Sequence, residues 1–391
     1  MAYKNIVELG NLKDKKVLVR VDFNVPLDNG IVQDTARIKN IGATIEFLQK
    51  AQAKIILISH LGKTTDSAPR QSLRCITDIL SSTYNCNTVF VDDCLHKDAA
   101  SIIASSGSND IILLENLRFY REEEECNLEF AKQLASLADV YINEAFSTSH
   151  RAHASICAVP KFLPHALGLS FVREIGIIDD FFQQAGSPRM AIVGGKKLWT
   201  KIKLLKKLVS KVDKLALGGG IAGAFMAFTG HKALKIFNQK DYDADIRELI
   251  DNASKNNCEL IFPTDYSALI GEGETFEHTV IYDDSHASVF DIGPESVELI
   301  KRHINECATI LWNGPLGLFE KSPFDFGTKA LAEEVAELSR NGKVYSIVGG
   351  GDTYHAMKKF GLEKDFTHLS TAGGAFLAYI EGSELPGLAA M

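Results

Sequence analysis

Six cationic or protonatable side chains, Arg37, His60, Lys63, Arg118, His150 and Arg151, fall at or just after the ends of apolar runs in the first half of this 391-residue chain. Arginine offers a planar fork of donors that matches phosphate and carboxylate oxygens, and lysine and histidine add charge beside it. Taken singly, such residues are a solvated surface. Repeated at one run end after another, they predict an anion pocket. VDFNVP (21–26) stands in the same half. Alternation sets Asp22 and Asn24 on one side, and Pro26 stops the extended run. The pair reads either as an Asx-type turn or as a polar clamp on substrate hydroxyls beside the cations.

The second half carries glycine turns instead. GGKKLWTK (194–201) spaces Lys197 and Lys201 four apart, on one face of an expected helix. Neighbouring cations repel, so polyphosphate between them gives the spacing a purpose, while Lys203, Lys206 and Lys207 continue as a solvated face. GGGIAG (218–223) satisfies G-x-G-x-x-G, a dinucleotide signal when a strand precedes it and a helix follows. Asp241 and Asp243 lie near the offset of a ribose-binding acid, but Gln239, Lys240 and Asp241 do not resemble a strand end. GGGDT (349–353) has the same placement. Free N–H groups at a helix start suit phosphate oxygens, and Asp352 is suited to a magnesium ion. WNGPLGLFE (312–320) ends in an acid suited to a ribose, and STAGGAF (370–376) opens a last helix. REEEE (121–125) reads as a helix start facing water. The P-loop pattern G-x-x-x-x-G-K-[ST] is absent.

Short apolar runs must position these residues. KVLVRVD (16–22), KIILISH (54–60), IILLEN (111–116) and VYINEAF (140–146) read as buried strands in the first half. RMAIVGG (189–195), KLALGGG (214–220), CELIFP (258–263), ATILWNG (308–314) and KVYSIVGGG (343–351) read so in the second. Helical patterns intervene around 36–50, 71–83, 126–137, 197–209, 221–229, 295–305, 328–340 and 352–359. Such alternation predicts an α/β protein with parallel sheets covered on both faces. Ligands sit at the carboxyl ends of strands in such sheets, so two kinds of strand-end chemistry predict two ligands. FVREIGIIDDFFQQ (171–184) has helical spacing and predicts a hinge helix between the halves.

The chain is 46% hydrophobic and 24% charged, enough apolar material for two cores. A net charge of −8 argues against a general binder of nucleic acid or anionic membranes. Seven cysteines without a C-x-x-C argue against a disulfide framework or structural zinc and suit a reducing cytoplasm. Residues 1–20 lack the apolar core of a signal peptide, and the longest uncharged stretch, Leu215–His231, is too short and glycine-rich to span a bilayer.

The motifs, taken in order, resemble the phosphoglycerate kinase family over nearly the whole chain: RVDFNVP, SHLG, LLENLRF, SHRAHAS, VGGKK, LGGG, DIGP, LWNGPLGLFE, VGGGDT, STAGGA and ELPGL. The resemblance implies two Rossmann-like domains: 1–170 for triose phosphate, a hinge helix at 171–186, 187–370 for nucleotide, and 371–391 returning to the first. It implies reversible, magnesium-dependent transfer of a phosphoryl group between 1,3-bisphosphoglycerate and ADP, in line and after domain closure, by a cytoplasmic monomer. By matching position, Asp22, Phe23, Asn24, Arg37, His60, Leu61, Gly62, Lys63, Arg118 and Arg151 would bind the triose phosphate. Lys201, Gly218, Gly219, Asn313, Glu320, Gly350, Gly351, Asp352 and Thr353 would bind nucleotide, with Asp352 also at the magnesium. Arg37, Lys197, Lys201, Gly373 and Gly374 would face the transferring group. The chain departs from the family pattern at Lys63 and Thr64 (usually Arg-Pro), Ser147 (Gly), Lys196 (Ala), Thr200 (Asp, here beside Trp199), Val289 (Gly), Ala372 (Gly) and Phe376 (small and polar). The rival expectations are an NAD-dependent oxidoreductase built on GGGIAG and a catalytically impaired relative.

Overall fold

Strands buried on both faces read as unbroken apolar runs, and the two sheets of the computed structural model are built from such runs. It describes residues 3–62, 70–95, 98–183, 186–230, 242–270, 275–279 and 287–391. The chain divides into two compact units, Met1–Gly176 with Glu384–Met391, and Ile177–Ser383. The boundary falls inside the helix Leu169–Gln183. Residues 371–383 stay with the second unit, so the returning segment is shorter than the 371–391 expected. Its anchor is mutual: Gly387 N–H donates to the Ser149 carbonyl at 2.9 Å, and Asn143 Nδ2 donates to the Gly387 carbonyl at 3.2 Å.

In chain order the first unit contains β1 (Lys16–Arg20), β2 (Leu27–Asp28), β3 (Ile31–Val32), β4 (Lys54–Ile58), β5 (Thr88–Val91), β6 (Ile111–Leu114), β7 (Val140–Asn143) and β8 (His165–Leu167). All but the β2–β3 hairpin form one parallel sheet in the order β5-β6-β4-β1-β7-β8. Alternation along β1 sends Val17 and Val19 into one core with Ile38, Ile45 and Leu57. Leu18 goes into the other, with Ile56, Ile112 and Phe130. Helices therefore cover both faces, and the sheet leaves only its strand ends for ligands.

The second unit repeats the scheme with β9 (Arg189–Val193), β10 (Lys214–Leu217), β11 (Glu259–Ile261), β12 (Tyr266–Ile270), β13 (Thr275–Thr279), β14 (Ala287–Ile292), β15 (Thr309–Asn313), β16 (Tyr345–Gly349) and β17 (His368–Ser370). Its parallel sheet runs β11-β10-β9-β15-β16-β17, and β13-β12-β14 form a separate antiparallel sheet. The first strand in sequence lies mid-sheet, and its neighbours β10 and β15 wind away on opposite sides. The β9–β15 gap is thus a topological switch point, where doubly wound folds bind ligands.

Two expected helices are shorter in the fold. The 36–50 pattern breaks at Ile41 into Ala36–Asn40 and Gly42–Lys50. The α-helix expected over 197–209 begins only at Ile202. Among the described residues, no helix is long and apolar enough to cross a membrane.

Candidate functional site

The first unit gathers the cations at the carboxyl ends of its strands. Asp22 follows β1 and is their hub. It pairs with Arg37, accepts from the Ser147 hydroxyl and from Asn24 N–H at 2.9 Å, and lies 3.8 Å from His60 Nδ1. Burial opposes its charge, but Arg37, His60, Ser147 and the Asn24 N–H outweigh that and hold the carboxyl far below its usual range. The Asx-type bond is therefore present. Asn24 Oδ1 accepts from Gly62 N–H at 2.9 Å, which ties the chain after β1 to the chain after β4.

His60 is buried and its pKa is driven well down, first by desolvation and then by Arg20, Arg118 and Arg151, against the pull of Asp22. It is therefore a neutral imidazole amid arginines. Arg118 keeps Nε without a hydrogen-bond partner, although its side chain is only 7% exposed and Glu124 lies 3.4 Å away. His150 Nδ1 is likewise buried and unpartnered, and Arg151 beside it is exposed. Two buried nitrogens without a hydrogen-bond partner thus lie among clustered arginines. Phe23 and Leu61 do not join this surface. Phe23 is core with its N–H on Ser59 Oγ at 2.8 Å, and Leu61 is buried with N–H and C=O both bonded to Asn116. Lys63 and Thr64 lie outside the described residues.

Sequence reasoning missed what holds the cluster from beneath. Arg20, at the end of β1, is fully buried; Nε donates to Ser155 Oγ at 2.8 Å and Nη2 lies 3.3 Å from His60 Nδ1. Glu123 accepts from the Ser155 hydroxyl at 2.5 Å and N–H at 2.8 Å. REEEE is thus not wholly a solvated helix start: Glu122, Glu124 and Glu125 are exposed, and Glu123 is fully buried. An ionisable residue inside an apolar run, as in KVLVR, was the available signal.

In the second unit the glycine turns converge at the β9–β15 switch point. A Cβ on Gly194 would stand 2.0 Å from the Pro315 carbonyl oxygen, so only glycine lets these strand ends close together. Lys201 is turned into this recess, where Nζ donates to the carbonyls of Gly194 at 2.6 Å and Asn313 at 3.1 Å. Burial lowers its pKa to about 8, with Asp352 pulling the other way. Lys197 does not share its face: it precedes a short 3-10 turn, is exposed, and sets Nζ 5.2 Å from the Trp199 ring centroid. The expected common helical face fails because the backbone is extended at Lys197 and the α-helix starts one residue after Lys201.

Asn313 Nδ2 donates to the Gly349 carbonyl at 2.6 Å and Thr353 Oγ1 accepts from Gly314 N–H at 2.7 Å, which binds the 313–315 turn to the GGGDT turn. Gly350 caps the helix Gly351–Lys359 with φ +108°, and Asp352 is exposed in its first turn. A cavity of about 360 Å³ opens beside these turns. Gly195, Lys196, Gly219, Glu320 and Asp352 supply its polar edge, and Val289, Phe290, Leu316, Leu318 and Phe319 its apolar wall. Gly218 is buried beneath. Gly373 and Gly374 start the helix Gly374–Glu381, Gly373 with φ +51°. Ala372 takes no positive φ, so alanine fits there, and Phe376 is core, its ring against Gly349. Thr200 Oγ1 bonds the Lys197 carbonyl at 2.8 Å.

No group of three or more histidine, cysteine or acidic residues placed to hold a metal occurs among the described residues. Asp352, on the edge of the cavity, is a single carboxylate of the kind that suits magnesium, which enters nucleotide sites on one or two carboxylates plus phosphate oxygens. GGGIAG follows β10, the second strand of its sheet, whereas the dinucleotide fingerprint sits after the first. Asp241 lies outside the described residues, and Asp243 opens an α-helix.

Two doubly wound units, one with clustered arginines and one with glycine turns around a buried lysine, define an α/β enzyme that handles phosphorylated ligands. Comparison with known proteins gives the family. The sequence profile described as phosphoglycerate kinase matches residues 6–383. A phosphoglycerate kinase of Wolbachia pipientis wMel is 43% identical, with 98% of each chain covered. One from Caulobacter vibrioides is 40% identical, again with 98% of each chain covered. The solved phosphoglycerate kinase of Coxiella burnetii superposes with a TM-score of 0.86 at 34% identity, covering 100% of this chain and 98% of that one. That of Pyrococcus horikoshii OT3 gives 0.84 at 26% identity, covering 99% and 98%. The chain belongs to the phosphoglycerate kinase family. It is a phosphotransferase, and the oxidoreductase alternative is not favoured.

Proposed function

We propose that this chain transfers a phosphoryl group directly between the acyl phosphate of 1,3-bisphosphoglycerate and magnesium-bound ADP, in the cytoplasm and as a monomer. The observation that carries the assignment of roles is Lys201: a largely shielded ammonium whose hydrogen bonds go to two carbonyls, in a glycine-walled recess. Carbonyl dipoles offset the desolvation of such a cation only in part, and nucleotide phosphate adds a full opposite charge. Lys201, Gly219, Asn313, Gly350, Gly351, Asp352 and Thr353 hold the nucleotide phosphates, and Glu320 takes the ribose at the cavity edge. Asp352 holds magnesium, which when bound neutralises phosphate charge. Arg118 Nε, His150, Arg151, Asn24 and the Asp22–Arg37 pair receive the phosphoglycerate.

The acceptor carboxylate is already ionised at pH 7, so no residue has to act as a general base. That agrees with His60, which is buried, neutral and aimed at Asp22 rather than at a reacting group. The loose transition state spreads charge over three equatorial oxygens. Arg37, Lys197, Lys201 and the N–H groups of Gly373 and Gly374 answer that charge, and exclusion of water strengthens each of them. In-line transfer requires the two ligands to meet, and bending about 171–186 is the motion we assign to it.

A coupled assay of ATP-dependent phosphorylation of 3-phosphoglycerate tests this. Turnover that needs both magnesium and nucleotide, and collapses in Lys201→Ala, is the expected result. Turnover no higher than that of a Lys197→Ala, Lys201→Ala double variant would mark a catalytically impaired relative.

A further inference from the structure

Cys126 and Cys157 stand apart from the other five cysteines. Their Sγ atoms lie 3.0 Å apart, across 31 residues of sequence, and both side chains are partly open to solvent. No other two cysteine sulfurs are in contact among the described residues. Cys126 sits just beyond the short helix Arg121–Glu124 with φ +53°, a left-handed conformation that costs a non-glycine residue and is held only where surroundings demand it. Cys157 belongs to the π-helical turn Ala154–Ala158, and its thiol donates to the His153 carbonyl at 3.1 Å, which fixes its rotamer toward Cys126.

We propose that Cys126 and Cys157 are a reversible disulfide site, closed by peroxide, and that closure acts on the phosphoglycerate site. With peroxide, the Cys126 thiolate attacks one oxygen, the O–O bond breaks, and Cys126 becomes a sulfenic acid as hydroxide leaves. The Cys157 sulfur then attacks the Cys126 sulfur; the S–O bond breaks, and the hydroxide leaves as water with the Cys157 proton. Two thiols lose two electrons in all, and one peroxide is reduced to two waters. Burial and the neighbouring thiol push Cys157 up to about 12, which disfavours it as the first to attack. Cytoplasmic disulfides, where they occur, are mostly transient and redox-sensing.

Two features connect the bond to the anion cluster. The cross-link would enclose Ser147, His150, Arg151 and His153. It would also bridge the two turns that Glu123 and Ser155 already join. A disulfide needs the sulfurs about 1 Å closer than 3.0 Å. Ser155 Oγ, which holds Arg20 Nε at 2.8 Å, rides on the turn that must move. Arg20 in turn touches His60.

The coupling to phosphoglycerate rests on the function proposed above; the disulfide itself does not. The full chain is treated with hydrogen peroxide, unfolded in guanidinium chloride, blocked with iodoacetamide and mapped by mass spectrometry, with and without dithiothreitol. Expected are a loss of two hydrogen masses, a single Cys126–Cys157 cross-linked peptide, and a fall from seven blockable thiols to five. Cys157→Ser stops at a Cys126 sulfenic acid that dimedone traps. In kinetics, oxidation shifts the KM for 3-phosphoglycerate by at least about threefold, leaves the KM for nucleotide alone, and is silent in Cys157→Ser. Absence of the linked peptide, or pairing spread over other cysteines, overturns the site. A linked protein with unchanged KM overturns the coupling. An inactive reduced enzyme would instead indict the proposed function.

Discussion

Lys201 gives the sharpest quantitative prediction. Its ammonium is desolvated and its pKa lies at about 8 in place of 10.5. Returning it to the ordinary value is worth about 3 kcal/mol, energy that a phosphate anion beside Nζ would recover on binding. Nucleotide binding must therefore take up a proton wherever the free lysine is neutral. At pH 9 the free side chain is about 10% protonated and the complexed one nearly fully so, giving an uptake of about 0.9 proton per nucleotide; at pH 7 it falls to about 0.1. Titration calorimetry of magnesium-ADP in buffers of different ionisation enthalpy reads this number directly. Lys201→Met removes the titrating group and should leave no uptake at either pH. The stability of the ligand-free protein has the matching sign: the unfolded chain holds this proton more tightly, so stability rises as pH goes from about 8 to 10.5. Absence of uptake at pH 9, or equal uptake in Lys201→Met, would refute the claim that this lysine meets nucleotide phosphate.

Other variants probe the remaining roles. Arg37→Ala should lower kcat by about 10²-fold or more in the coupled assay, since its fork answers charge that grows in the transition state; unchanged kinetics would remove it from the mechanism. Arg118→Ala should raise the KM for 3-phosphoglycerate by roughly 10- to 100-fold through loss of one charged hydrogen bond, and a fall confined to kcat would contradict a positioning role. Phe376→Ala should cost about 3–5 kcal/mol in denaturant unfolding, because the ring is fully buried against Gly349. A loss below about 1 kcal/mol would mean the site collapses freely.

The parallel cores were legible because β-branched runs such as KIILI and RMAIV are buried on both faces and have few alternatives. Short strands were not: HAL at β8 and HLS at β17 carry too little apolar character to stand out. The antiparallel β12–β14 sheet alternates polar and apolar residues weakly, and only its partners define it. At the sites, the structure pairs Asp22 with Arg37 and turns Lys201 into the recess of the glycine turns. The common face expected for Lys197 and Lys201 failed, since a helical spacing cannot reveal that carbonyls at Gly194 and Asn313 draw Lys201 inward and leave Lys197 exposed. Arg20 was signalled only by its place in the apolar run KVLVR, Glu123 by nothing, and the partners of both were hidden for a related reason. Their burial is compensated by Ser155, 32 and 135 residues away, and no local pattern encodes such a partner.

The most direct test is a crystal structure with magnesium-ADP bound. Expected are the phosphates between Lys201 Nζ and the 350–353 turn, the ribose at Glu320 and the base against Val289 and Phe319. Phosphates bound elsewhere, with Lys201 still on the Gly194 and Asn313 carbonyls alone, would contradict this placement.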